Sequence, residues 1–123
     1  MIENASSPEL RTALQSHLQE TRIHVTRLEG VFRTLGVEPD TKDNEILDKM
    51  TSAAKDSVSN IEASPLRDAA LIVNGNQVEH YEIAMYGTLV SFARSLGLQA
   101  ITAPLEETLE EEKNCLLYTS RCV

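Results

Sequence analysis

Tryptophan is missing from this chain, and two phenylalanines and three tyrosines are all the large aromatics it has. Sheets draw heavily on aromatic and β-branched side chains, so this shortage argues against a β fold, and the abundance of Ala, Leu, Glu and Ser points to helix. No apolar run approaches the ~20 residues needed to cross a bilayer. Nor is Met1 followed by a basic segment and an apolar signal core, so no membrane association is expected and the cytoplasm is the default location. Basic side chains are also scarce: 11 Lys and Arg face 19 Asp and Glu, a formal charge of -8. Nucleic acids and anionic lipids are bound through a basic face that displaces counterions, so this balance excludes nonspecific binding to either. There is no glycine-rich phosphate loop, internal repeat or basic patch. The two cysteines, Cys115 and Cys122, sit at the C-terminal end with a spacing that fits no zinc or thioredoxin motif, and no structural role is assigned to them.

What remains is enough for one all-α domain, and helix punctuation divides it. Ser7–Pro8–Glu9 is a helix start: a hydroxyl to cap free N–H groups, a proline at the first helical position, and an acid at the positive dipole end. The helix predicted there runs to about Leu35 and stops at Gly36, and Met1–Asn4 leave no room for an earlier one. A shorter helix follows through Ile46, Leu47, Met50, Ala53, Ala54, Val58 and Ile61. Ser64–Pro65 opens a third, the longest, ending at Gly97, and a fourth begins near Leu98 and passes Leu105 and Leu109 into Glu110–Glu111–Glu112. Pro104 marks a kink or a new first turn in that last helix.

Residues three, four and seven apart share a helix face, so the apolar stripes can be searched for misplaced polar groups. On the first helix, Leu10, Leu14, His17, Thr21, His24, Leu28 and Val31 fall on adjacent rows, with Glu20 between the histidines. On the third, Leu71, Val78, Glu82, Met85, Leu89 and Leu96 form a stripe that places Glu82 among core positions and Glu79 beside it. On the fourth, Leu105, Leu109 and Glu112 continue one face, while Glu110 and Glu111 turn to solvent. Burying an unpaired carboxylate costs several kcal/mol, so acids on inward faces need protons, cationic partners or a metal. Arg22, Arg27 and Arg94 do not supply inward cations on this reading. Glu and His from facing helices are the ligands with which bundles hold two iron or manganese ions. Plainer roles stand beside this one. Glu20, Glu79 and Glu82 could lie on solvated faces, His17 and His24 could be hydrogen-bonded flanking groups, His80 lies off the stripe, and Tyr86 fits either a ligand partner or a core tyrosine.

The segments SPELRTALQSHLQETRIHVTRLEGVF, LRDAALIVNGNQVEHYEIAMYGTL and LEETLEEEK resemble the YciF/YciE-like branch of the ferritin-like superfamily, over about residues 5–113, with VEHYEIAMYGTL the most specific stretch. The resemblance implies an up-and-down ferritin-like bundle with a short extra helix in its crossover, commonly a homodimer, associated with bacterial stress responses. By position it implies Glu20, Glu79, Glu82 and Glu112 as acidic metal ligands and His24 as a residue beside the site, with two iron or manganese ions as cofactor. Members of that family begin with a further long helix bearing another acidic ligand, so the resemblance also implies that the first bundle helix is missing here and that Met1 is internal to a longer reading frame. The ferritin-like domain is then residues 1–114, and Cys115–Val123, CLLYTSRCV, reads as a non-native tail that breaks the last helix. Two functions follow as expectations: redox, peroxide-handling or metal-binding chemistry at a carboxylate site, or a non-catalytic helical scaffold without a working metal centre.

Overall fold

A computed structural model of the chain describes residues 1–119, with side chains through Leu116. Four α-helices and one short turn make up the ordered elements, and no strand occurs among the described residues. A 3-10 turn, Ile2–Asn4, leads into α1 (Pro8–Leu35). The Ser7 hydroxyl accepts the Leu10 N–H at 3.2 Å, and Pro8 follows where a missing N–H costs nothing. Asn44 caps α2 (Glu45–Ser59) by accepting the Leu47 N–H at 3.2 Å, and Ser64 caps α3 (Pro65–Ser95) by accepting the Arg67 N–H at 3.3 Å. Gly36 and Gly97 end the two long helices in the left-handed region, at φ 68° and 69°, where a Cβ would be strained.

The last helix, α4 (Gln99–Thr119), takes Pro104 into its interior, so the proline does not open a new helix. It also continues unbroken past Cys115, where the sequence suggests an interruption. The Tyr118 side chain and Cys122 lie outside the described residues.

Contacts set the helix directions. Residues rise together along α1 and α3, from Leu10 with Leu71, through His17 with Glu79, to Val31 with Val90, so these helices run parallel, joined by a crossover that contains α2. Both are antiparallel to α4: Arg27 meets Thr108, His24 meets Glu112, and Arg94 pairs with Glu106. Two apolar clusters hold the ends. Ala5, Leu10, Val58, Leu71 and Ile72 pack where α1 and α3 begin and α2 finishes. Val31, Tyr86, Val90, Ala93, Ile101 and Leu105 pack at the opposite end. Fixing the first of these is Asp68, buried in the first turn of α3, whose two oxygens accept the backbone N–H groups of Ser6 at 2.6 Å and Ser7 at 2.8 Å.

The predicted stripe on α3 is rotated from the observed one. Leu71, Ile72, Glu79, Tyr86, Val90 and Ala93 are buried, whereas Met85, Leu89 and Leu96 are exposed. The reason is compositional: α3 carries apolar residues almost all round, so periodicity does not select a face. As a result Glu79 is the deep carboxylate and Glu82 the half-buried one, the reverse of the expected order. On α1 the His17, His24, Val31 rows do turn inward, while Leu18 and Val25 face out.

Candidate metal centre

Between the two apolar clusters the helices meet through polar side chains. Carboxylate oxygens of Glu79, Glu82 and Glu112 approach within 4.8 Å of one another, bringing two residues of α3 against one of α4. Glu79 is 4% exposed and Glu112 1%. Each has one oxygen occupied by a histidine of α1: His17 Nε2 is 2.8 Å from Glu79 Oε1, and His24 Nδ1 is 2.9 Å from Glu112 Oε1. The other oxygen of each, Oε2, is buried and receives no hydrogen bond from an N–H or hydroxyl group.

Electrostatics follow from this crowding. Burial, a hydrogen bond with Glu79, and repulsion from Glu79 and Glu82 push the Glu112 carboxyl up to about 9, so it keeps its proton at neutral pH and can donate it to Glu79. Burial also works to raise Glu79, but hydrogen bonds from His17 and Glu112 and the His17 charge outweigh it, holding Glu79 below the ordinary carboxylate value. Glu82 is raised by burial and by Glu79. The His17 imidazole, hydrogen-bonded to Cys115 and Glu79, is pushed up to about 11. Burial, with Glu82 and Glu112 nearby, moves the Tyr86 phenol up to about 12; its ring meets His24 edge-on, with centroids 6.3 Å apart.

Of the predicted site residues, Glu79, Glu82 and Glu112 converge. Glu20 does not join them, although it lies half-buried between His17 and His24 on the same side of α1. His24 has both ring nitrogens engaged, Nδ1 by Glu112 and Nε2 by Glu111 Oε2 at 2.9 Å. Three expectations need correcting. Glu111 is half-buried and faces His24 rather than solvent. Arg27 does supply an inward cation: its fork grips Glu111 at 2.7 and 3.2 Å and holds that carboxyl below its ordinary value. Cys115 is not idle either, since its sulfur lies 3.3 Å from His17 Nδ1. The i, i+3 spacing of His24 and Arg27 was the available signal for the second of these, but it names no partner on another helix. Exposed His80 agrees with its off-stripe position.

Among the described residues no helix is long and apolar enough to cross a membrane. The family described as a domain of unknown function, DUF892, matches residues 1–117. Protein YciF of Escherichia coli strain K12 is 37% identical over 112 residues, covering 88% of this chain and 66% of YciF, so the chain spans slightly under two thirds of that relative. In solved structures, YcfI from Rhodopseudomonas palustris superposes with a TM-score of 0.94 at 37% identity, over 97% of this chain and 76% of its own. The E. coli stress protein YciF gives 0.93 at 32% identity, over 98% and 77%. The helical bundle of the described residues is thus a shared architecture, and the chain belongs to the DUF892 family as a relative of the stress protein YciF.

Proposed function

We propose that this protein holds iron or manganese through Glu79, Glu82 and Glu112, in the service of a stress response. The observation that carries the reading is the pair of buried oxygens, Glu79 Oε2 and Glu112 Oε2, that receive no N–H or hydroxyl donor while a third carboxylate stands beside them. Three carboxyl groups crowded together, two of them buried, ionise only at a cost, and a divalent cation taking the place of the Glu112 proton would relieve repulsion and desolvation together. An all-oxygen donor set suits hard or borderline ions such as Mn²⁺ and Fe²⁺. Glu20 is the acidic residue on α1 that would extend the set toward a second ion. A bound redox metal would supply electron transfer to oxygen or peroxide; the chain's own part is to bind it, exclude water with the flanking apolar clusters, and manage the Glu112 proton. The homodimer expected for the family belongs with this proposal, supported by the apolar row Met85, Leu89, Phe92 and Leu96 exposed on α3.

The competing reading is a helical scaffold, and the proton retained by Glu112 favours it, because that proton eases the cluster without any metal. Elemental analysis after anaerobic loading with Fe²⁺ or Mn²⁺ separates the two. At least one ion per chain, lost in Glu79→Gln, is expected; content near zero overturns the proposal. A Glu82→Leu variant that is more stable and has unchanged metal content would favour the scaffold.

A further inference from the structure

His17 and His24 sit two helical turns apart on one side of α1, and each reaches a different helix. His17 touches Glu79 of α3, and His24 touches Glu112 of α4. In both cases the imidazole takes Oε1 and leaves Oε2 buried without an N–H or hydroxyl donor. We propose that these histidines are positioning residues rather than metal ligands: each fixes one oxygen of a buried glutamate so that the other is left for the cation, and a clamp made by Glu111 and Arg27 holds His24 in place. The inference rests on the carboxylate site proposed above and concerns how that site is oriented.

Geometry argues against ligation by His24. For either ring nitrogen to turn to a metal, it must leave a carboxylate at 2.9 Å. Leaving Glu111 would also disturb a polar junction of several hydrogen bonds between α1 and α4. There Arg27 Nη1 donates to Thr108 Oγ1 at 2.6 Å and Glu111 Oε2 at 2.7 Å, while Nη2 donates to Glu111 Oε1 at 3.2 Å and pairs with Glu107 Oε1 at 3.1 Å. Thr108 is 1% exposed, so the guanidinium is docked into the turn of α4 that carries Glu112 and does not hang from its surface. A forked arginine on a carboxylate fixes direction as well as distance. His17 is similarly occupied, with Nε2 on Glu79 at 2.8 Å and Nδ1 facing Cys115 Sγ at 3.3 Å.

The arrangement resembles the general device in which a residue behind a metal ligand fixes its orientation, and loss of such a residue typically weakens metal binding by roughly 10–100-fold. Here the usual order is reversed, with histidine behind carboxylate. A glutamate side chain left free to rotate would present either oxygen, or neither, to the ion. One held at Oε1 presents Oε2.

The test is Mn²⁺ binding followed by equilibrium titration and by pulsed EPR, which detects nitrogen bonded directly to the ion. The wild-type chain is expected to bind Mn²⁺ with oxygen ligands only. His24→Leu should weaken binding by roughly 10–100-fold with the stoichiometry kept, and His24→Gln, which retains a donor, by less. Arg27→Lys keeps the charge but loses the fork, and should weaken binding in the same direction while leaving the Mn²⁺ spectrum oxygen-only. A directly bonded nitrogen in the wild type that disappears in His24→Gln or His17→Gln overturns the inference while leaving the carboxylate site intact, and so does undiminished affinity in His24→Leu. Absence of Mn²⁺ binding by the wild type overturns the carboxylate site itself, and this inference with it. The wild-type spectrum needs no variant, so a variant that fails to fold does not remove the test.

Discussion

Asp68 and Glu79 lie on the same face of α3, and both are buried, yet they are treated in opposite ways. Asp68 meets the start of α1, where helix geometry leaves N–H groups without internal partners, and each of its oxygens receives one of them from Ser6 and Ser7. Glu79, farther along, receives one imidazole, has a second oxygen that no N–H or hydroxyl reaches, and stands in a group with two other carboxylates. A carboxylate with both oxygens saturated by fixed donors acts as a fastener. One left half-satisfied beside its own kind lowers stability, a cost that the proposed cation would offset. Burial alone therefore says little about an acidic residue's role, whereas the partner of each oxygen says a great deal.

The comparison breaks first at Asp68. Replacing it with alanine leaves two N–H groups unpaired at a partly buried helix start, and a loss of about 2–4 kcal/mol is expected in chemical denaturation. If the loss is negligible, the two N–H groups are solvated and Asp68 is not a fastener. The carboxylate cluster should respond to pH instead. Glu112 has a folded value near 9 against an ordinary 4.5, so the folded state holds a proton that the unfolded chain releases as pH rises. The sign follows directly: stability of the metal-free protein is lost progressively as pH climbs from 4.5 toward 9 and levels off for this group above that. His17, raised from 6.5 to about 11, adds a loss of the same sign between those values. Glu112 alone accounts for a fall on the order of 2 kcal/mol between about pH 7 and pH 9, which Glu112→Gln should remove while leaving the His17 part. Thermal melts at matched ionic strength measure the slope; a wild type indifferent to pH over this range would mean that Glu112 is not crowded. Affinity for a divalent cation should change the other way, rising with pH as the ion competes with that proton.

Much of this molecule was legible before its structure. Serine followed by proline marked both long-helix starts, and glycine marked both ends, because capping and left-handed φ are local requirements met by local residues. The α1 rows that carry His17 and His24, and the inward position of Glu112, were also legible from residue spacing, although the apolar pattern of α1 drew in Leu18 and Val25, which face out. On α3 the pattern failed to choose between faces, so Glu79 and Glu82 were found but their depths were exchanged. Glu111, Arg27 and Asp68 were misread or passed over for a different reason. Each is satisfied by atoms on another helix, and no spacing within a helix encodes such a partner.

The smallest expected effect sharpens the fastener end. Ser7 contributes twice to the junction: its backbone N–H goes to Asp68, and its hydroxyl accepts the Leu10 N–H while donating to Glu9 at 2.7 Å. Ser7→Ala removes only the hydroxyl, so it should cost about 1 kcal/mol, the usual loss at an N-cap, and leave the backbone contact to Asp68 standing. Combining it with Asp68→Ala then apportions the junction. If the losses add, side-chain capping and the Asp68 contact act independently, and the buried carboxylate is the principal tie between α1 and α3 at this end. If the double variant loses no more than Asp68→Ala alone, the cap has formed only because Asp68 holds the preceding backbone in place, and the start of α1 is dictated by a residue in a different helix.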